Sequence, residues 1–241
     1  MSKLSDFFKQ FRRQHFCSVV VVAAGSSTRA GKDKLFALLN GVPVIAHTLK
    51  TLEDSACVDE IILVTREDKI AELAELCDKH DFRKVTKVIC GGNTRTASAY
   101  IGVMEVSRKA DLIAIHDGAR PFVTHELMEQ AIHNAVLYNA AAPAIPAKDT
   151  IRRVERDGTV SVLPREELRL VQTPQIFQAE LIKAALSMAI QNNVQYTDDC
   201  AAVEAVGGRI KLFPGSEENI KITTPEDFAL AEAILKSRRA E

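Results

Sequence analysis

Residues 19 to 36 read VVVVAAGSSTRAGKDKLF, an apolar run that opens into small residues, hydroxyls and bases. Ala23, Ala24 and Gly25 would let the backbone approach a ligand, and Gly25 permits turns that other residues resist. Loop N–H groups and the hydroxyls of Ser26, Ser27 and Thr28 could cradle oxyanions, with Arg29, Lys34 and Lys32 to neutralise them. The stretch fits neither common phosphate fingerprint. The triphosphate P-loop needs four residues between its glycine and its Gly-Lys pair, followed by Ser or Thr. Here five residues separate Gly25 from Gly31, and Asp33 follows Lys32. The dinucleotide pattern needs further glycines where Ser27 and Ala30 stand. Taken alone, an ordinary Gly-Ser turn followed by solvated bases explains the stretch equally well.

Two further stretches follow apolar runs. GGNTRTAS begins at Gly91. Gly91 and Gly92 again allow close approach, while Asn93, Arg95 and Ser98 offer groups that could read a base. A helix capped near Asn93 or Thr94 is compatible with that role. HDGARP begins at His116. Asp117, at the end of a buried strand and opposite a basic loop, is a candidate ligand for a divalent metal or for hydroxyls. The bland alternative is an ion pair with Arg120. His116 alone reads as a structural histidine.

These loops need a scaffold that brings them together. Short apolar runs at Cys17–Ala23, Ile61–Thr65, Lys87–Cys90, Leu112–His116, Ala140–Ile145 and Arg209–Phe213 read as strands covered on both faces. Amphipathic stretches at Val44–Leu52, Asp68–Lys79, Thr94–Ser107, His125–Tyr138 and Ala179–Asn192 read as the helices between them. This alternation predicts an α/β fold with a doubly wound, mostly parallel sheet, in which ligands bind at the carboxyl ends of strands. Thr224, Pro225 and Asp227 mark the start of a last helix. Residues 148–170 break the rhythm. They alternate polar and apolar around Arg156-Asp157-Gly158, which predicts a protruding β-arm with strands near Thr150–Glu155 and Thr159–Leu163. An exposed arm needs a cover, and a second copy of the chain is the natural one.

The 241 residues suit one large domain from 18 to 241, preceded by an N-terminal extension, 1–17. In that extension Leu4, Phe7, Phe8 and Phe11 fall at helical spacing, and charges interrupt the apolar residues too often for a signal peptide. With 46% hydrophobic residues the chain can build a core. A net charge of −1 gives no electrostatic reason to expect nucleic acid or an anionic membrane as partner. No apolar run approaches the roughly 20 residues that span a bilayer. Five scattered cysteines, with no zinc spacing, read as reduced thiols of a cytoplasmic protein.

The motifs AAGSSTRAGKDKLF, GGNTRTAS, HDGARPF, KDTI, TPQIF, YTDD and NIKITTPEDFALAEAIL occur in that order. From about residue 18 onward the set resembles the 2-C-methyl-D-erythritol 4-phosphate cytidylyltransferases of the non-mevalonate isoprenoid pathway. The resemblance implies a Rossmann-like nucleotidyltransferase fold. It also implies in-line attack of a polyol phosphate on the α-phosphate of CTP, with Mg²⁺ and a homodimer formed through the arm. Arg29, Lys34 and Lys221 then match catalytic bases. Ala23, Ala24, Gly25, Ser26, Ser27, Gly91, Gly92, Asn93, Ser98 and Gly118 match the nucleotide site. Asp117 matches a residue for substrate hydroxyls and metal. Arg165 and Thr197 match holders of the polyol phosphate, Arg165 across the dimer, and Thr173 a supporting position.

The sequence departs from that family pattern at Ala30, Gly118 and Asn93, and in a short loop from Arg29 to Lys34. The short loop makes Lys32 a rival to Lys34, which is preferred because Leu35 and Phe36 begin the next apolar segment. A ribitol-5-phosphate cytidylyltransferase would share the CTP half of such a site. A non-catalytic nucleotide sensor is the alternative of another class. Against it stands the cost of gathering like charges with no ligand to hold.

Overall fold

The computed structural model describes residues 15–25 and 33–240. The helix expected around Leu4 to Phe11, and the loop residues Ser26, Ser27, Thr28, Arg29 and Lys32, lie outside the described residues. The chain opens with β1 (Cys17–Val22), a small hairpin of β2 (Leu38–Leu39) and β3 (Val42–Pro43), and α1 (Val44–Asp54). Then come β4 (Glu60–Thr65), α2 (Ile70–Lys79), β5 (Val85–Cys90), α3 (Arg95–Met104), β6 (Leu112–Asp117), α4 (His125–Tyr138) and β7 (Ala140–Pro146). The arm strands β8 (Arg152–Val154) and β9 (Val160–Val162) are followed by β10 (Arg169–Val171) and β11 (Gln175–Gln178). Helices α5 (Ala179–Gln191) and α6 (Asp199–Ala205), strand β12 (Lys211–Pro214) and helix α7 (Pro225–Ala240) complete the chain.

The main sheet runs β5-β4-β1-β6-β11-β7, with β10 and β12 also paired to β7. β1 pairs in parallel with both β4 and β6, and β4 with β5. β10 and β11 run antiparallel to their neighbours. The sheet is therefore doubly wound and mostly parallel, as the alternation of runs predicts. Successive side chains of a strand point to opposite faces, and both faces of β1 are covered. Val19 and Val21 join one core with Leu49 of α1, Leu73 of α2 and Met128 of α4. Val20 joins the other with Val103 of α3, Ile182 of α5 and Val203 of α6. A third cluster seats Ala231 and Ile234 of α7 on Leu39, Phe122 and Ile222.

From β1 the chain steps outward to β4 and β5, then returns to β6 on the other side of β1. This reversal opens a crevice at the carboxyl ends of the strands. The final helix starts as its sequence predicts. The Asp227 carboxylate accepts from the N–H groups of Thr223 and Thr224 and from the Thr223 hydroxyl.

Two short strands differ from the expected pattern. β10 and β11 are too brief for periodicity to declare them, yet β11 is inserted between β6 and β7. Arg169 and Leu170, assigned to the arm by sequence, pair instead with Pro146 and Ile145 of the main sheet. The arm itself is an antiparallel hairpin of β8 and β9, closed by Arg156, Asp157 and Gly158. Gly158 has φ +86°, the left-handed geometry a three-residue hairpin loop requires. The cysteines are free thiols, with Cys17 on β1 and Cys90 ending β5.

Candidate active site

A cavity of about 560 Å³ lies at the strand ends, within the size range of small-molecule sites. Ala23, Ala24 and Gly25 after β1, Arg66 after β4, Gly91 to Arg95 after β5, and Asp117 at the end of β6 all line it. Lys34 and Lys221 reach the same space from outside the sheet. Lys34, Asn93, Ser98, Asp117 and Lys221, scattered over the sequence, thus meet in one pocket.

The glycine loop shows why it contains glycines. A Cβ on Gly92 would sit 2.5 Å from Cβ of Ala97, and one on Gly91 would sit 2.8 Å from Cβ of Ala24. The first two loops therefore close on each other at backbone distance. The Ser98 hydroxyl is buried and contacts Gly92 and the Thr94 carbonyl, so it shapes this loop from beneath. Thr94 caps α3 by accepting from the N–H of Ala97. Asn93 remains exposed at the rim. Both expectations for the stretch, a helix cap and a binding loop, are compatible with this geometry.

Asp117 sits among cations. Lys221 Nζ lies 2.9 Å from its Oδ2, Arg120 Nε 3.5 Å from the same oxygen, and Arg95 Nη2 3.9 Å from Oδ1. Burial opposes ionisation of Asp117, but Lys221, then Arg95 and Arg120, outweigh it and hold the carboxyl down at about 2. Behind it stands a buried polar frame. The N–H of Asp117 donates to the Thr173 hydroxyl at 3.0 Å, and that hydroxyl lies 3.1 Å from His116 Nδ1. The Arg120 carbonyl, 3.2 Å from Nε2, can only accept, so the neutral His116 ring carries its proton on Nε2 and its Nδ1 accepts the proton of the Thr173 hydroxyl. Burial pushes His116 down to about 4, which keeps it neutral at physiological pH.

The same frame holds the Lys221 segment. Arg120 Nη1 donates to the Asn219 carbonyl at 2.7 Å, and Ile222 N donates to the Ala119 carbonyl at 2.9 Å. Asn219, fully buried, donates its amide to the Thr173 carbonyl at 2.9 Å. Lys221 and Asp117, about a hundred residues apart in the chain, are thereby clipped together on both sides of the ion pair.

Several expected residues lie elsewhere. Thr173 is buried behind Asp117, with its hydroxyl engaged as described. Gly118 is buried too: its N–H donates to the Val22 carbonyl, and its carbonyl accepts from Thr48. Thr197 is exposed in the turn before α6. Arg165 is exposed at the foot of the arm, where Nη1 donates to the Lys148 carbonyl. Catalytic candidate Arg29 and nucleotide-site candidates Ser26 and Ser27 fall outside the described residues.

Other residues escaped the sequence reading. Arg66 lines the pocket and pairs with Asp33 at 3.0 Å, tying the end of β4 to the segment that carries Lys34. Its position directly after a parallel strand was the available signal. Asp199 and Asn219 fall within the YTDD and NIKIT motifs, but nothing local gives their partners, which become neighbours only in the folded chain.

Among the described residues no group of three or more His, Cys, Asp or Glu is placed to hold a metal. Asp117 lines the pocket, and its oxygens already face three cations. This donor set fits Mg²⁺ only as an ion carried chiefly by substrate phosphates, which is how Mg²⁺ commonly binds. Among the described residues no helix is long and apolar enough to cross a membrane.

A doubly wound sheet with paired glycine loops and clustered bases at its switch point is the architecture of a nucleotidyltransferase. Comparison with known proteins narrows this class. Residues 17–237 match the family model of IspD, 2-C-methyl-D-erythritol 4-phosphate cytidylyltransferase, and the chain belongs to that family. It is 42% identical over 226 residues to the 2-C-methyl-D-erythritol 4-phosphate cytidylyltransferase of Halalkalibacterium halodurans, covering 92% of this chain and 99% of that one. The enzyme of the same name from Clostridium novyi is 42% identical over 222 residues, covering 90% and 96%. Among solved structures, the 4-diphosphocytidyl-2C-methyl-D-erythritol synthase of Anaerococcus prevotii superposes with a TM-score of 0.83 at 31% identity, covering 92% of this chain and 99% of that one.

Proposed function

We propose that this chain transfers the cytidylyl group of CTP to 2-C-methyl-D-erythritol 4-phosphate, giving 4-diphosphocytidyl-2-C-methyl-D-erythritol and pyrophosphate. The reading rests on one observation above all. A single cavity in a member of this family gathers Lys34, the Gly91–Gly92 loop and the Asp117–Lys221 pair.

An oxygen of the acceptor phosphate attacks the α-phosphorus, and the bond from that phosphorus to the β-phosphate oxygen breaks. The electron pair leaves with pyrophosphate. A phosphate monoester is mostly a dianion at pH 7, since its second pKa is about 6. The attacking oxygen therefore needs no general base, and no covalent enzyme intermediate is required. The work left to the protein is positioning and charge stabilisation.

In this reading Ala23, Ala24, Gly25, Ser26 and Ser27 wrap the triphosphate. Arg29, Lys34 and Lys221 stabilise charge on the α-phosphate. Gly91, Gly92 and Asn93 read the cytosine, Ser98 supports that nucleotide loop from beneath, and Gly118 lets the next loop pack close behind. Asp117 takes acceptor hydroxyls, with Thr173 fixing its backbone. Thr197 and Arg165 hold the acceptor phosphate, Arg165 being delivered from the arm of a second copy. Asp117 would help hold Mg²⁺, which would supply charge screening for the triphosphate. The enzyme would work as a cytoplasmic homodimer.

The test is a steady-state comparison of 2-C-methyl-D-erythritol 4-phosphate with ribitol 5-phosphate, each with CTP, scored by the diphosphocytidyl-polyol formed. A higher kcat/KM for the methylerythritol substrate is expected. A higher value for ribitol 5-phosphate would sink the assignment.

A further inference from the structure

Arg95 is the charged part of a loop whose proposed task is to read a neutral base. It occupies the first position of α3, where the positive end of the helix dipole disfavours a cation. It nevertheless lines the cavity with its side chain about a quarter exposed. Asp199 holds it bidentately, Nη1 to Oδ1 at 3.0 Å and Nη2 to Oδ2 at 2.7 Å, and Asp199 itself is 1% exposed.

That carboxylate is fixed in turn. Gln175 Oε1 on β11 accepts from the N–H groups of Asp199 and Cys200, while Gln175 Nε2 donates to Asp198, whose other oxygen caps α6. Burial disfavours the Arg95 charge, yet Asp199 beside it more than offsets this and raises the guanidinium pKa. A buried ion pair of this kind contributes little net stability, because desolvation consumes most of the attraction. Neither helix propensity nor the base explains an arginine here.

We propose that Arg95 contacts the phosphate of the acceptor substrate, and that Asp199 is the positioning residue that aims it. Only two of the five guanidinium N–H groups are needed for the Asp199 fork. Nη2, one arm of that fork, also lies 3.9 Å from Asp117 Oδ1, so the guanidinium borders the corner proposed to take the acceptor, and a planar guanidinium is suited to a phosphate. Asp199 lies two residues beyond Thr197 and opens α6. The pair therefore ties the nucleotide loop to the segment proposed to hold the acceptor. The inference rests on the cytidylyl-transfer reading above.

The experiment measures kcat and KM for 2-C-methyl-D-erythritol 4-phosphate, the equilibrium affinity for CTP alone, and the thermal midpoint. Wild type is compared with Arg95→Lys and Asp199→Asn. Lysine keeps the charge but cannot keep the fork, so this variant is expected to fold. The KM for the acceptor should rise about 10- to 100-fold, the scale of a charge-assisted hydrogen bond. CTP affinity should stay within about 2-fold, and Asp199→Asn should shift the same parameter in the same direction by less. An unchanged acceptor KM in Arg95→Lys would overturn the proposal. So would an equal loss of CTP affinity, or a loss accounted for by the unfolded fraction. If wild type itself makes no product, the functional reading fails and not this assignment.

Discussion

Around Asp117, charge is buried and cross-linked within one chain; along the arm from Arg152 to Val162, it stands in water. The Asp117 corner joins β6, the segment before β11 and the segment before α7 through hydrogen bonds among Thr173, His116, Arg120 and Asn219. The arm has a two-strand ladder and exposes Val154, Val160 and Val162 by 67%, 49% and 55%. An isolated hairpin is marginal in water, and exposed strand edges invite pairing. The corner is preorganised by its own sequence, whereas the arm leaves an apolar face and Arg165 exposed. Substitutions in the two regions should therefore fail differently: chemistry and stability suffer at the corner, and assembly and acceptor binding suffer at the arm.

The largest effect is expected at the reacting phosphate. Lys221→Ala should lower kcat by about 10²- to 10³-fold, the scale for removing one transition-state donor, and single-turnover measurements would show it. Lys34→Ala should likewise lower the rate far more than fold stability, read by kinetics and urea denaturation together. An unchanged rate in Lys34→Ala would move that role to Lys32.

Asn219→Ala probes the frame itself. Loss of the buried amide leaves the Thr173 carbonyl without that donor, so stability should fall by about 1–3 kcal/mol in urea denaturation. The comparison breaks if the variant is as stable as wild type. Arg165→Ala should leave stability alone and raise the KM for the acceptor more than that for CTP. Equal effects on both substrates would remove the arm from the acceptor site. Val160→Lys with Val162→Lys should barely alter folding but shift sedimentation toward monomer. A sedimentation profile identical to wild type would mean that the arm is not the contact between copies.

The corner should also show in the pH dependence of stability. His116 has a folded pKa of about 4, below its ordinary 6.5. Between those values the unfolded chain binds a proton that the folded chain excludes. Stability is therefore fully present above 6.5 and declines as pH falls toward 4. Asp117, held at about 2 against an ordinary 3.8, adds a second decline below 3.8. Urea midpoints from pH 7 to pH 4 would trace the first decline, and His116→Gln should flatten it.

Much of this was legible before folding, for reasons that differ by region. Strands with both faces covered are nearly continuous apolar runs, so β1, β4 and β6 declare themselves, and the strand-end rule then collects the loops at Gly25, Gly91 and Asp117. The arm was legible because Asp157-Gly158 is turn chemistry. What could not be read depends on long-range contact. β11 has four residues and takes its place from the gap between β6 and β7. The Asp199 partner of Arg95 lies 104 residues away, and Asn219 meets Thr173 across 46. A side chain that acts through a distant partner carries no local pattern.

The central claim is that this pocket catalyses transfer and does more than hold a nucleotide. Rapid mixing of the enzyme with CTP, with and without 2-C-methyl-D-erythritol 4-phosphate, tests it by following pyrophosphate. One pyrophosphate per 4-diphosphocytidyl-2-C-methyl-D-erythritol formed, and no release when the acceptor is omitted, is the predicted result. CTP binding without pyrophosphate release in the presence of the acceptor would contradict it.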